Sequence, residues 1–366
     1  MLTHNLRNTT EFKKLLAAAT GGFPAVTALF GLPAAARAQM LAALCEETGR
    51  PAFVVCAGEA AATRFASDLA AFGQRAEVLP ARDFVLRSVE GQNREYEYRR
   101  LAVLGNAVGG RTRIICAGVE GALQRTVPKS EFCGNTLTLK TGAEITVPDL
   151  SARLARAGYH RRFQVEGPGQ FAVRGGIVDI YAPDMEKPCR LEFWGDMIEA
   201  MFTFDLVSQR REAPVRKIHL SPAREVLFGD AAAAADAIRK AGAKLSGKTR
   251  EQFQRAAEKD LAALDAGTLP ECLDKYIAVR YKTLATALEY LDDPIVFLDE
   301  PSALREAADA QQYRFGEETA RLLEEGELAP SLCAFYSSLD DLYIAAQNAR
   351  GVACENFARS MDGLRL

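Results

Sequence analysis

Eight residues near the start of this chain have the spacing of a phosphate-binding loop and the wrong side chains for one. Gly31-Leu32-Pro33-Ala34-Ala35-Ala36-Arg37-Ala38 stand between an apolar strand and a helix, where G-x-x-x-x-G-K-[ST] would cradle phosphates. Ala36 replaces the second glycine, Arg37 the lysine and Ala38 the hydroxyl that holds Mg²⁺. A Cβ at position 36 crowds the approach of backbone to phosphate, and an alanine offers no ligand to a metal. Far downstream, Pro294-Ile295-Val296-Phe297-Leu298-Asp299-Glu300 has the form of a Walker B element, an apolar strand ending in two acids. Such acids hold Mg²⁺ and polarise water only where a phosphate cradle faces them. Asp299 and Glu300 are therefore expected to be structural or capping residues, and hydrolysis is not expected. Arg37 leaves room for weak anion binding at the helix N-terminus, although Pro33 removes one backbone donor.

The surrounding elements predict how these residues are placed. Residues 25–30, 51–56, 76–80 and 112–117 are short, largely apolar runs, as in strands of a parallel sheet. Helical spacing over 35–48, 59–72 and 119–124 separates them, with Gly73 as a stop signal. This is a βαβ series. From about 131 the pattern changes. Residues 136–140 alternate with period two, and Pro148-Asp149 opens a helix with Leu150, Leu154 and Ala157 on one face. Strand-like runs follow at 169–181, 189–194 and 197–204, the last two joined by Gly195-Asp196 as a hairpin turn. Residues 215–220 are placed as a further edge. Helices are predicted over 231–241, 249–266 and 276–290 before the strand at 294–300. The expected fold is α/β: a P-loop-type parallel sheet interrupted by an inserted small α+β antiparallel domain. The expected divisions are 1–130, 131–225, 226–345 and a C-terminal segment or linker at 346–366.

Composition narrows the function classes. The 366 residues carry 45 basic and 48 acidic side chains, a net charge of −3, without the basic excess that gripping nucleic acid requires. Eight cysteines and three histidines show no zinc-ligand spacing, so no metal or cofactor is expected. The thiols read as reduced structural residues. No apolar run approaches the ~20 residues of a membrane span, and the cytoplasm is the expected location.

The run QFAVRGGIVDIYAP…CRLEFWGDMIEAMFTFDLVSQR (170–210) resembles the excinuclease-A-binding domain shared by UvrB and the transcription-repair coupling factors (Mfd). Arg-Gly-Gly-Ile-Val-Asp-Ile, the Gly-Asp turn and Thr-Phe-Asp fall in the family's order and spacing. The resemblance extends over residues 10–345. PARDF (80–84) and EYRRLAVL (97–104) are similar to the coupling factors, and so is the altered loop at 31–38, since UvrB keeps an intact P-loop. The resemblance implies a degenerate UvrB-like module: a non-catalytic adaptor that binds excinuclease subunit UvrA and recruits repair to stalled RNA polymerase. It implies that UvrA is contacted through arginines. Arg174 matches the arginine of the family's Arg-Gly pair. The second position follows Gly158-Tyr159 and is His160 here, with Arg161 and Arg162 next, so all four are candidates. RNA polymerase, DNA and an ATP-driven motor belong to further domains of the coupling factors. The chain is then either the N-terminal part of such a protein or a free-standing relative that titrates UvrA. The alternative from another class, a UvrB-type nucleotide-dependent helicase, requires the Gly-Lys-[ST] that Ala36-Arg37-Ala38 replaces.

Simpler roles stand beside these. An arginine on an antiparallel strand by default occupies the solvated face. Phe171 and Val173 share the face opposite Arg174 and are expected in the core. Trp194 fits an interface anchor as well as core packing or the cover of a turn, and Glu317 to Glu327 a solvated helix face.

Overall fold

In chain order the first strands are β1 (Thr27–Phe30), β2 (Ala52–Cys56), β3 (Ala76–Leu79) and β4 (Ile114–Gly118). The excursion that follows carries β5 (Leu137–Lys140), β6 (His160–Arg161), β7 (Gln170–Arg174), β8 (Ile177–Tyr181), β9 (Cys189–Trp194), β10 (Met197–Phe204), β11 (Arg211–Pro214) and β12 (Lys217–Leu220). The chain then returns with β13 (Ile295–Asp299) and β14 (Val352–Glu355). The computed structural model describes residues 4–21, 23–87, 94–227, 231–268, 270, 272–281, 283–358, 361 and 364.

The first and last groups form one parallel sheet in the order β1-β14-β13-β2-β4-β3. Because successive side chains point to opposite faces, its apolar strands feed two cores. Phe53, Val55, Ile115, Val296 and Leu298 meet Leu101, Phe253 and Leu304 from helices Glu95–Val108, Gly247–Asp265 and Pro301–Glu324. Val54, Cys56, Cys116 and Phe297 meet Phe12, Leu41 and Phe65 from helices Thr10–Thr20, Ala34–Thr48 and Glu59–Ala71. The inserted sheet runs β11-β10-β9-β8-β7-β6, antiparallel except for β6 beside β7. Helix Val147–Arg156 starts where Asp149 N–H donates to Thr146 Oγ1 at 3.1 Å. It packs Leu150 and Leu154 against Phe171, Val178, Ile180 and Leu191.

Four elements differ from the sequence expectation. Residues 169–181 form a hairpin, β7 against β8 with Arg174 opposite Ile177. Gly175 takes φ +61° at its turn, a conformation that favours glycine. Residues 215–220 do not extend the large sheet: β12 pairs with β5 in a separate two-stranded sheet, and β11 is the edge. Residues 276–290 hold a 3₁₀ turn ending at Tyr276, a short helix Ile277–Arg280 and another 3₁₀ turn, Ala287–Tyr290. Here Tyr276, Tyr281 and Tyr290 are buried, their hydroxyls donating to Asp260 Oδ2, Glu225 O and Val127 O, so tertiary packing overrides helical spacing. The segment expected as a linker from 346 supplies β14, buried between β1 and β13. Helix Leu339–Asn348 crosses the expected boundary at 345; part of the remaining tail lies outside the described residues.

Candidate functional site: the altered loop and the edge of the inserted sheet

Gly31 makes the turn out of β1 at φ +73°, and the helix behind it starts at Ala34. Ala38 is fully buried in the core beneath. Arg37, only 4% exposed, turns back across the sheet end. It donates to Leu32 O at 2.8 Å, Asp299 Oδ1 at 2.6 Å, Glu300 Oε1 at 2.5 Å and Asn356 Oδ1 at 2.8 Å. Burial lowers its pKa, but hydrogen bonds and charge from Asp299 and Glu300 outweigh burial and hold it above the ordinary value. The expectation of weak anion binding at Arg37 is therefore corrected: two carboxylates already occupy the guanidinium. Asp299 and Glu300 are its counter-charges. Glu300 takes φ +58° just before Pro301, where proline disfavours the right-handed helical region.

On the inserted sheet, His160 pairs with Gln170 and Arg161 with Phe171. Alternation puts His160, Gln170, Ala172 and Arg174 on one face and Arg161 on the face of Phe171. The Arg162 N–H donates to Phe171 O at 2.8 Å, carrying the alternation back to the face of His160. Phe171 is buried and Val173 packs on the same core. Arg174, its side chain 40% exposed, donates through Nη2 to Asp179 Oδ2. Asp179 is fully buried and also accepts from Arg190 Nε at 2.6 Å and Nη2 at 2.9 Å. Arg190 in turn lies 4.8 Å over the Phe204 ring and is held above its ordinary pKa chiefly by Asp179. Asp179 thus fixes Arg174 at the hairpin end while its Nε and Nη1 have no partner among the described residues. Trp194 is 75% exposed, which removes the core-packing reading.

His160 faces inward at one atom. Its Nε2 lies 2.6 Å from Arg224 Nη2; arginine only donates, so Nε2 accepts and the ring is neutral. Loss of solvent at that end, with Arg224, Arg94 and Arg162 nearby, pushes its pKa down to about 4. Gly158, at φ +89°, makes room: a Cβ there would stand 2.5 Å from Arg224 Cγ. Beside Arg224, buried Glu225 accepts from Arg100 Nε at 2.8 Å and Arg82 Nε at 3.1 Å. Arg82 also grips Asp274 at 2.7 and 3.0 Å, and the Glu225 N–H donates to Glu97 at 3.0 Å. PARDF and EYRRLAVL are thus two halves of one buried ionic junction that fastens the excursion's exit to the parallel-sheet body. Sequence reasoning missed Asp179, Arg190, Arg100 and Glu225. One signal existed: Glu97 and Arg100 fall in the same i, i+3, i+4, i+7 register as Leu101 and Leu104.

No helix among the described residues is long and apolar enough to cross a membrane. The UvrB interaction domain family matches residues 137–226, the part that carries the inserted sheet. The transcription-repair-coupling factor of Bacillus subtilis (strain 168) is 28% identical over 312 residues, covering 82% of this chain and 26% of the relative. That of Myxococcus xanthus is 31% identical over 304 residues, covering 76% and 24%. That of Haemophilus influenzae is 26% identical over 234 residues, covering 63% and 19%. The chain spans about a quarter or less of the length of these curated relatives. It carries a UvrB interaction domain within a framework that matches the transcription-repair-coupling factors (Mfd) over most of its own length.

Proposed function

We propose that this chain is a non-catalytic adaptor that binds excinuclease subunit UvrA through the β6–β7–β8 face of its inserted sheet. The observation that carries the reading is Arg174, held by buried Asp179 with part of its fork unbonded, inside the residues that match the UvrB interaction domain. A planar guanidinium suits bidentate recognition of carboxylates, and a cationic edge meeting an acidic surface gives fast, salt-sensitive association. His160 and Arg162 extend the same face; Arg161 points to the other side and contributes at the rim. In a coupling factor this binding would bring UvrA to a stalled RNA polymerase. Polymerase and DNA would be engaged by parts of such a protein outside the shared quarter.

Calorimetric titration of the chain against UvrA tests the proposal. Micromolar or tighter binding is expected, weakened by Arg174→Ala by ~2 kcal/mol, the lower end for truncating one partner of a charged contact. No binding by the intact chain rejects it. The guanidinium of Arg37, already taken by acids, supports the non-catalytic part, and ATP turnover above the buffer rate would overturn that part.

A further inference from the structure

Between helix Glu95–Val108 and the β6–β7 edge lies a cavity of about 620 Å³, within the range of small-molecule sites. Four arginines line it (Arg94, Arg99, Arg162 and Arg224) against one carboxylate, Glu95. Two of the four are already balanced: Arg94 by Glu97 at 2.8 Å and Arg99 by Glu59 at 3.8 Å. Arg162 and Arg224 have no ion-pair partner among the described residues. Arg224 is only 3% exposed. Its Nη2 reaches His160, and its buried Nε has no hydrogen-bond partner among the described residues. A buried, half-bonded guanidinium is costly unless something completes its donors. Two glycines hold this geometry open. Gly158 admits Arg224, and a Cβ on Gly169 would meet the Tyr98 ring at 2.7 Å.

We propose that this junction cavity binds a phosphorylated small molecule, its phosphate taken by Arg224 and Arg162 and its body lying against Tyr98 and the cavity's prolines. Two arginines without a direct ion-pair partner match a dianion better than a single carboxylate, and arginine forks bind phosphate bidentately. Burial, with Arg94 nearby, outweighs the charge of Glu97 and holds the Arg224 pKa below its ordinary value.

The site shares His160 and Arg162 with the proposed UvrA face but excludes Arg174, so one variant separates the two proposals. The probe is inorganic pyrophosphate, titrated calorimetrically at low salt against a chloride control of equal ionic strength. Wild type should bind, Arg162→Ala should weaken binding at least tenfold, and Arg174→Ala should leave it unchanged. Arg162 is solvent-exposed, so its removal tests the site without touching the buried junction. No heat with pyrophosphate, undiminished binding in Arg162→Ala, or equal binding of sulfate overturns the proposal. Tighter binding of a 5′-phosphorylated oligonucleotide than of pyrophosphate assigns the cavity to nucleic acid and overturns it too. Loss of pyrophosphate binding in Arg174→Ala would place the anion on the sheet face instead.

Discussion

Arg37 and Arg174 are the same residue with opposite fates. Arg37 lies where a phosphate-binding lysine would, yet Asp299, Glu300, Asn356 and a backbone carbonyl share its donors. Arg174 lies on a strand in the antiparallel unit, and one buried carboxylate fixes it by a single nitrogen. The first is closed and the second open. What decides whether an arginine can bind a partner is its unused hydrogen-bonding capacity after folding, and neither its charge nor its motif reports that.

The sharpest way to break this contrast is at the closed end. Arg37→Ala leaves Asp299 and Glu300 facing each other, mostly buried, with no cation between them. The expected loss is ~3–5 kcal/mol of folding stability, as for a buried pair broken from one side, read by denaturant unfolding. UvrA affinity should not change. A loss below ~1 kcal/mol would mean that the acids find other partners and that the clamp is not what holds the two strand ends together.

Asp179→Ala attacks the support of the open end. It strands Arg190, whose side chain is 12% exposed, and frees Arg174 to wander. A stability loss of ~3 kcal/mol is expected from the unpaired, largely buried cation, with weaker UvrA binding besides. Arg174→Ala separates the two effects. Its side chain is 40% exposed, so stability should move by no more than ~1 kcal/mol, while UvrA affinity falls by ~2 kcal/mol. Equal losses in both quantities would make Arg174 a structural residue.

The same distinction explains what was legible in the sequence. The parallel strands could be read because Phe53-Val54-Val55-Cys56 or Ile295-Val296-Phe297-Leu298 has no polar face to confuse the pattern. Gly195-Asp196 was legible as a turn because it separates two clean runs. Gly175-Gly176 was not, since apolar Ile177 directly after it hides the change of core phase from Phe171 and Val173 to Val178 and Ile180. Strand β14 is four residues long and acquires its place only when β1 and β13 exist to flank it. The altered loop was legible as damage; that Arg37 would find Asp299 and Glu300 depends on register across 262 residues of chain. Asp179, in the middle of Ile-Val-Asp-Ile, reads in the sequence only as part of a motif, and the pairing of β8 with β9 is what buries it beside Arg190. Partners of buried charges are tertiary facts.

The smallest expected effect tests how far His160 shares the open character of its strand. Its ring is neutral because Nε2 accepts from Arg224, and its pKa of about 4 lies below the ~6.5 of an unfolded histidine. The unfolded chain therefore binds the proton more tightly, so His160 contributes full stability above pH 6.5 and loses it as pH falls towards 4. Glu97, next in the junction, has its pKa lowered: burial raises it, but Arg82, Arg224 and Arg94 outweigh burial. Its contribution is present above the ordinary glutamate value and fades only below ~4.3. The interval from pH 6.5 to 4.5 thus isolates His160. Replacing it with asparagine keeps an acceptor near Arg224 and removes the titration. Melting temperature should fall over that interval in wild type more than in His160→Asn. Identical pH profiles would show that solvent at the exposed side of the ring screens Arg224, making His160 a surface residue as open as Arg174.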